Sequence, residues 1–401
     1  MNTLTKIRQF IIRRAQKYLL AILVAIALAA CGGSSKNSSS KRLVFDYSAP
    51  SEIGDGWQVG SLADEGFDTQ KVTEMMGGIL NGAYPNIDSV AIARNNKLLF
   101  YWYADRDLTG VDSTAGNRDI ERHTMQSTSK SFTSALIGIA IDQGYVASTQ
   151  VRFVDLLNYA NYENWDARKA EMTLEDVLTM RLGLSWDEWT APYGSQQNSL
   201  TALQATNQDW TKALLDLPMT HMPGTVFTYN TAASIALGQA LEDSTGMPME
   251  SYAQTYLFQP MQIGSASWVH TPTGLPNGGS GLFLTTRDLL KFGQLYLSGG
   301  EWLGQQLISE DWIGDTVIRR VDISAIANYS EAYGFQWWLD DFAYKGQTIE
   351  SWTTRGLGGQ FMFVIPSLDL VVAFTGSNYF DTRYLAVIDR IMRSYILGAI
   401  E

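Results

Sequence analysis

Ser127-Thr128-Ser129-Lys130 opens the run SFTSALIGIAIDQ, Ser131 to Gln143, which is apolar nearly all round and stops before Gly144. Such a run predicts a helix buried on every side, closed by a glycine able to take the left-handed conformation that helix ends favour. The four residues at its mouth form an S-x-x-K motif. Positions i and i+3 share a helix face, so the Ser127 hydroxyl and the Lys130 amine meet one turn apart. Ser127 would sit at the helix N-terminus, where the dipole and free N–H groups favour developing negative charge. The same positive end, with desolvation, lowers the amine pKa from ~10.4 toward the range in which it accepts a proton. The motif alone is weak, because Ser38-Ser39-Ser40-Lys41 matches it too. Context separates the two: Ser127 opens an apolar helix and Ser38 opens nothing.

Outward from this helix the chain becomes β-rich at both ends. Ser89 to Arg94 and Lys97 to Tyr103 flank Asn95-Asn96, which predicts a hairpin whose turn residues tolerate positive φ. Phe361 to Ile365 and Leu370 to Thr375 are split by Pro366-Ser367, a second hairpin, and Tyr384 to Leu397 repeats apolar residues at helical spacing. Residues 145–265 read as mostly helical, with loops at Trp186 to Ser199 and around Pro223-Gly224. Strands at both ends with helices between predict an α/β domain whose sheet is built from both termini and carries a helical insertion. The sheet part is expected over about 46–125 and 270–401, the helical part over about 126–269.

Composition narrows the function. With 401 residues, 45% hydrophobic, 17% charged and 12% aromatic, the chain is neither disordered, coiled-coil nor collagen-like. Lys+Arg 29 against Asp+Glu 41 gives −12, and no basic run survives past the N-terminus, so nucleic acid is excluded as a partner. One cysteine excludes a disulfide framework, a cysteine zinc site and a thiol redox pair. His123, His221 and His270 lie too far apart in sequence to suggest a multi-histidine metal centre, and no metal is expected. Lys6, Arg8, Arg13, Arg14 and Lys17 precede a short apolar run, Tyr18 to Ala27, the pattern of a signal peptide over residues 1–30. Leu28-Ala29-Ala30-Cys31-Gly32 resembles a bacterial lipobox, which makes Cys31 the lipidated mature N-terminus. Residues 31–45 then form a flexible tether and 46–401 the folded domain. Gly32 resembles the residue that follows the cysteine in outer-membrane lipoproteins, so the expected location is the cell envelope, facing the periplasm. Removing the leader leaves 24 basic against 41 acidic residues, so the lipid is the expected membrane contact.

Further motifs follow S-x-x-K in order: MTLEDVLTMRLGL (172–184), PGTVFTYN (223–230), GGSGLFLTTRDLLKFGQLYLSGG (278–300) and TRGLGGQF (354–361). Together, over roughly residues 60 to 400, they resemble the serine β-lactamase/penicillin-binding superfamily. The likeness is greatest to its class C-like branch of esterases and 6-aminohexanoate-dimer hydrolases. The resemblance implies a β-lactamase-like fold, an antiparallel sheet flanked by helices with an inserted all-helical domain and the active site between them. It implies acyl transfer to Ser127, with Lys130 and Tyr229 sharing the proton work and the N–H groups of Ser127 and Leu357 holding the oxyanion. Whether amine or phenolate takes the first proton stays open, since the two titrate as a pair.

Tyr229 lies 102 residues after Ser127, where the family places a tyrosine motif, often Y-x-N. Here Thr231 stands in place of that asparagine, with Asn230 beside it. Asn230, Trp189, Tyr193 and Gly356 are the expected substrate contacts; for Trp189 and Tyr193, loop-anchoring packing is the competing reading. The third family motif, K-T-G or H-T-G, corresponds to Thr354-Arg355-Gly356, followed by Leu357. The missing cation at Thr354 argues against β-lactams as natural substrates, and Arg355 is expected to point to the opposite face of its strand. A small ester or amide is the expected substrate, with no cofactor and a monomeric chain. A D-amino-acid peptidase or β-lactamase is the alternative within this chemistry; a non-catalytic ligand-binding protein with the same cleft is the alternative of another class. His123 precedes the helix without an acidic orienter nearby in sequence and is expected to be a bystander. Asp187-Glu188 is expected to form no carboxylate pair, because adjacent residues do not face one another. No G-x-S-x-G elbow occurs, which removes an α/β-hydrolase.

Overall fold

In the computed structural model, which describes residues 42–104, 122–327, 329–379 and 381–401, the chain from Val44 to Glu401 forms one unit. Cys31 and the leader before it lie outside the described residues. The sheet starts with β1 (Gln58–Val59), followed by helix α1 (Thr69–Leu80), whose first turn is capped by the Asp68 carboxylate. Strands β2 (Ile87–Arg94) and β3 (Lys97–Tyr103) form the first hairpin. Asn95 and Asn96 both take positive φ, 50° and 59°, the conformation a tight two-residue hairpin turn requires.

After β4 (Arg122–Thr124), one 3₁₀ turn over Gln126–Thr128 leads into α2 (Ser129–Asp142), and every residue from Ser129 to Ala140 is buried. The insertion is less helical than expected. Helices α3 (Leu174–Leu178), α4 (Ser199–Gln204) and α5 (Trp210–Leu215) are short, α6 (Thr231–Thr245) alone is long, and α7 (Met249–Ala253) is short again. Apolar spacing reports burial, and loops achieve burial too when side chains satisfy their backbone groups. Here Thr173, Asn198 and Asp209 cap the short helices, and Leu174, Val177, Leu178, Leu203, Trp210, Leu214 and Leu215 join the same core cluster as α2 and α6.

A small sheet of order β4-β6-β5, from β5 (Ser267–Trp268) and β6 (Leu282–Thr285), anchors the segment before Ser127. Helix α8 (Thr286–Leu297), the pair β7 (Glu301–Trp302) and β8 (Gln305–Gln306), and α9 (Glu310–Thr316) follow. Then come β9 (Val321–Asp322), β10 (Ala332–Tyr333), β11 (Trp338–Tyr344), β12 (Gln347–Gly356), β13 (Gln360–Ile365), β14 (Leu370–Gly376) and α10 (Tyr384–Ile391). The nine-stranded sheet runs β1-β3-β2-β14-β13-β12-β11-β10-β9, antiparallel throughout except β1 beside β3. Strands from both ends thus meet at β2 and β14. Strand alternation divides the core. Met362, Val364, Val371 and Ala373 join the cluster containing α2 and α8, while Phe363, Ile365, Val372 and Phe374 join the one containing α1 and α10. Both faces are covered, as an antiparallel sheet flanked by helices requires. Among the described residues no helix is long and apolar enough to cross a membrane.

Candidate active site

Gln126 takes a φ of +48°, a conformation that costs a non-glycine residue energy and recurs at functional turns. This kink turns the chain out of β4 and presents Ser127 at the N-terminal end of α2. Lys130 Nζ then lies 3.1 Å from Ser127 Oγ, 3.0 Å from Thr231 Oγ1 and 2.7 Å from the Gly279 carbonyl oxygen. Burial pushes the Lys130 amine down to about 8, against an upward pull from the Glu188 carboxylate. Tyr229 moves the other way: burial and the Glu188 charge raise its phenol well above its ordinary range, opposed by a hydrogen bond with Ser127. Burial thus moves the amine toward neutrality and the phenol away from it.

Two glycines permit this closeness. A Cβ on Gly279 would lie 2.6 Å from the Thr231 carbonyl oxygen, so only a bare backbone brings its own carbonyl to Lys130. A Cβ on Gly356 would lie 2.4 Å from the Met125 carbonyl oxygen, so the end of β12 rests directly on the turn that carries Ser127.

Ser127 and Tyr229 open onto a cleft of about 260 Å³ that Trp189, Tyr193, Trp338, Gly356, Leu357, Phe361 and Tyr384 also line. Trp189 stacks on Tyr229 with centroids 5.3 Å apart, and Trp338 lies 5.7 Å from the same ring. Trp189 and Tyr193 keep 45% and 44% exposure, so the long loop presents them to the cleft as well as packing them. Leu357 follows the last residue of β12, and its N–H meets no backbone acceptor among the described residues. Arg355 follows its cross-strand partner Phe361 onto the face opposite Thr354, as alternation dictates, yet at the strand end that face still borders the cleft. Its guanidinium lies over the Trp338 ring and 2.8 Å from the Asp340 carboxylate, and it also donates to the Tyr329 carbonyl. Thr354 is buried and does not line the cleft; its hydroxyl meets no partner among the described residues.

Asn230 is not placed as a substrate contact. It is buried, and its Oδ1 accepts the Ala233 N–H at 3.0 Å, capping α6. A short polar side chain just before a helix is drawn to the free N–H groups of the first turn. His123 does have an acidic orienter, Asp88, which sits 3.2 Å from Nε2, while Nδ1 lies 3.0 Å from the Thr124 carbonyl oxygen. Both ring nitrogens are thereby engaged away from the cleft. Asp187 and Glu188 part as expected. Asp187 accepts from the N–H groups of Trp189 and Thr190 and closes the local turn. Glu188 turns inward, where the Thr231 N–H (2.7 Å), the Thr231 hydroxyl (2.5 Å), the Tyr193 hydroxyl (3.0 Å) and the Trp186 Nε1–H (3.1 Å) donate to it. Sequence reasoning missed this carboxylate because a loop residue has no period; its signal was a carboxylate flanked by aromatic N–H and O–H donors. Among the described residues no cluster of His, Cys, Asp and Glu is placed to hold a metal.

A hydroxyl beside a buried amine, a neutral phenol and a strand-end N–H is equipped for acyl transfer. The family model described as Beta-lactamase matches residues 70–386. The 6-aminohexanoate-dimer hydrolase of Paenarthrobacter ureafaciens is 24% identical over 302 residues, 71% of each chain. A penicillin binding protein from Bacillus halodurans superimposes with a TM-score of 0.58 at 17% identity, covering 77% of this chain and 98% of its own. A D-stereospecific amidohydrolase from Streptomyces sp. gives 0.57 at 15% identity, over 79% and 96%. At those identities the two structures speak to the fold, and the family match to descent. The chain belongs to the β-lactamase family and is a serine hydrolase of the kind that cleaves amide and ester bonds.

Proposed function

We propose that Ser127 is the nucleophile, Lys130 its general base and Tyr229 the acid that returns the proton, in the hydrolysis of uncharged esters and amides with apolar or aromatic acyl groups. The observation that carries this reading is the buried Lys130 amine, 3.1 Å from Ser127 Oγ with its pKa pushed down to about 8. Ser127 Oγ attacks the carbonyl carbon as its proton passes to Lys130, and the N–H groups of Ser127 and Leu357 receive the oxyanion. Tyr229 gives its proton to the departing alcohol or amine and regains one from Lys130. Water then attacks the acyl-enzyme by the same route in reverse.

The cleft supports the substrate class. Its wall is largely aromatic, and Arg355 is already matched by Asp340 at 2.8 Å, so a substrate carboxylate would have to displace an existing ion pair. Relatives named for hydrolysing 6-aminohexanoate dimers and for D-stereospecific amide hydrolysis agree with the reaction type. A screen of p-nitrophenyl esters, ω-amino acid dimers and nitrocefin, run beside fluorophosphonate labelling, tests the reading. Neutral esters and amides should turn over fastest, with labelling lost in Ser127→Ala. Nitrocefin cleaved as fast as the best ester would put the D-amino-acid peptidase or β-lactamase reading ahead. Absence of both labelling and turnover would leave a ligand-binding protein.

We also propose that Cys31 carries a lipid that tethers the enzyme to the outer membrane, on the support of Leu28-Ala29-Ala30-Cys31 and the basic leader. Metabolic palmitate labelling should fall to background in Cys31→Ser while esterase activity is kept. An unlabelled wild-type protein would retire the anchor.

A further inference from the structure

We infer that Glu188 is a positioning residue that acts through the Thr231 hydroxyl, setting the direction of hydrogen bonding around Lys130 so that the amine lone pair faces Ser127. The inference rests on the reading of Ser127 and Lys130 above.

Donor and acceptor accounting carries it. An ionised carboxylate only accepts, and a hydroxyl has one proton to give. Thr231 spends that proton on Glu188 at 2.5 Å, so toward Lys130, 3.0 Å away, its oxygen can only accept. The Gly279 carbonyl, 2.7 Å from Nζ, likewise only accepts. A neutral amine has two N–H bonds and one lone pair. The two obligate acceptors take both N–H bonds, and the third direction, 3.1 Å to Ser127 Oγ, is left to the lone pair. Without Glu188 the Thr231 hydroxyl is free to donate to Nζ, which turns an N–H toward Ser127 and leaves the serine proton without an acceptor. Glu188 itself is buried and held by four donors, two from Thr231 and one each from Tyr193 and Trp186. A carboxylate removed from water needs such partners to persist.

The pH dependence follows from the groups around Nζ. Ser127 lies on its own turn, Tyr229 and Thr231 come from the start of α6, Glu188 and Tyr193 from the long loop, and the Gly279 carbonyl from the 278–281 loop. Beyond Tyr229 stand Tyr333 of β10 and Tyr384 of α10, the latter facing Arg355 of β12. Glu188 is the carboxylate of this set, and its charge favours the ammonium. Neutralising it lowers the Lys130 pKa, and the acid limb of activity, which requires the neutral amine, moves to lower pH.

The test is steady-state turnover of a neutral p-nitrophenyl ester across pH by wild type, Glu188→Gln and Glu188→Gln/Thr231→Asn. Glu188→Gln should lose about 10- to 100-fold in kcat, a share of the usual general-base contribution. KM should stay within about threefold and the acid limb should move down in pH. The double variant, whose asparagine carbonyl accepts without a carboxylate behind it, should recover most of kcat. A Glu188→Gln enzyme within about threefold of wild type overturns the inference. So does a loss with no movement of the limb and no recovery in the double variant. Should Glu188→Gln fail to fold, Thr231→Ser and Thr231→Val carry the test: serine should keep the rate and valine lose it, and equal rates overturn the inference. Full activity in Ser127→Ala or Lys130→Ala would instead remove the reading beneath it. A rate that needs both of those residues and ignores Glu188 and Thr231 removes this inference alone.

Discussion

Ser127→Ala should lower kcat on a neutral ester by on the order of 10⁴-fold or more, with Lys130→Ala nearly as damaging. In the proposed mechanism the two side chains, Nζ 3.1 Å from Oγ, act as one proton-transfer unit, so neither half should work alone. The double variant should therefore be little worse than either single one. Residual turnover above water would come from the oxyanion donors and the aromatic wall, which both substitutions leave in place. His123→Ala provides the contrast. Its ring is engaged by Asp88 and the Thr124 carbonyl, so removing it takes one hydrogen-bond partner from the buried Asp88 carboxylate and lowers stability without touching the reacting atoms. Turnover per folded molecule should stay near wild type, with a lower midpoint of thermal unfolding. A large loss at His123 with a mild one at Lys130 would reverse the assignment of the base.

Gly356→Ala should cost about 10²- to 10³-fold in kcat, the loss that follows removal of one oxyanion donor. The added Cβ would meet the Met125 carbonyl oxygen at 2.4 Å, a contact with backbone that no rotamer change relieves. The end of β12 must then move off the turn holding Ser127, carrying the Leu357 N–H, the proposed oxyanion donor, out of position. Because Gly356 ends its strand, the sheet should survive with a stability loss of about 1–3 kcal/mol. Gly264→Ala is the control, since a Cβ there meets nothing within 4 Å. Comparing kcat with the unfolding midpoint for both variants checks the argument. An active Gly356→Ala enzyme would mean that the oxyanion donor lies elsewhere.

Both Gly356 and Ser127 belong to stretches that could be read from the chain alone. The Asn95-Asn96 turn, the turn at Pro366, the buried helix after Ser127 and the i, i+3 relation of Ser127 to Lys130 are all local. Each depends on residues within one turn or one hairpin, where backbone geometry leaves few choices. Tyr229 entered through its place in an ordered set of motifs, and the structure puts its ring 4.9 Å from Lys130 Nζ. The insertion was harder to read, because its apolar residues are buried by capped loops as readily as by helices.

Neighbouring residues then took roles that spacing does not separate. Asn230 and Thr231 are adjacent, yet one caps α6 and the other bonds Lys130, because entry into a helix turns successive side chains in different directions. Arg355 lies on the face alternation assigns it, but only the end of the strand and the position of Asp340 decide that it borders the cleft already paired. Glu188 is 43 residues from Thr231, and Gly279 is 149 from Lys130. Short-range geometry thus determined from sequence the pairing of Ser127 with Lys130 and the hairpins of the sheet. Which acceptors surround that lysine was decided by tertiary structure, because contacts across such separations exist only after the loop has folded onto α6 and the glycine turn has closed beneath it.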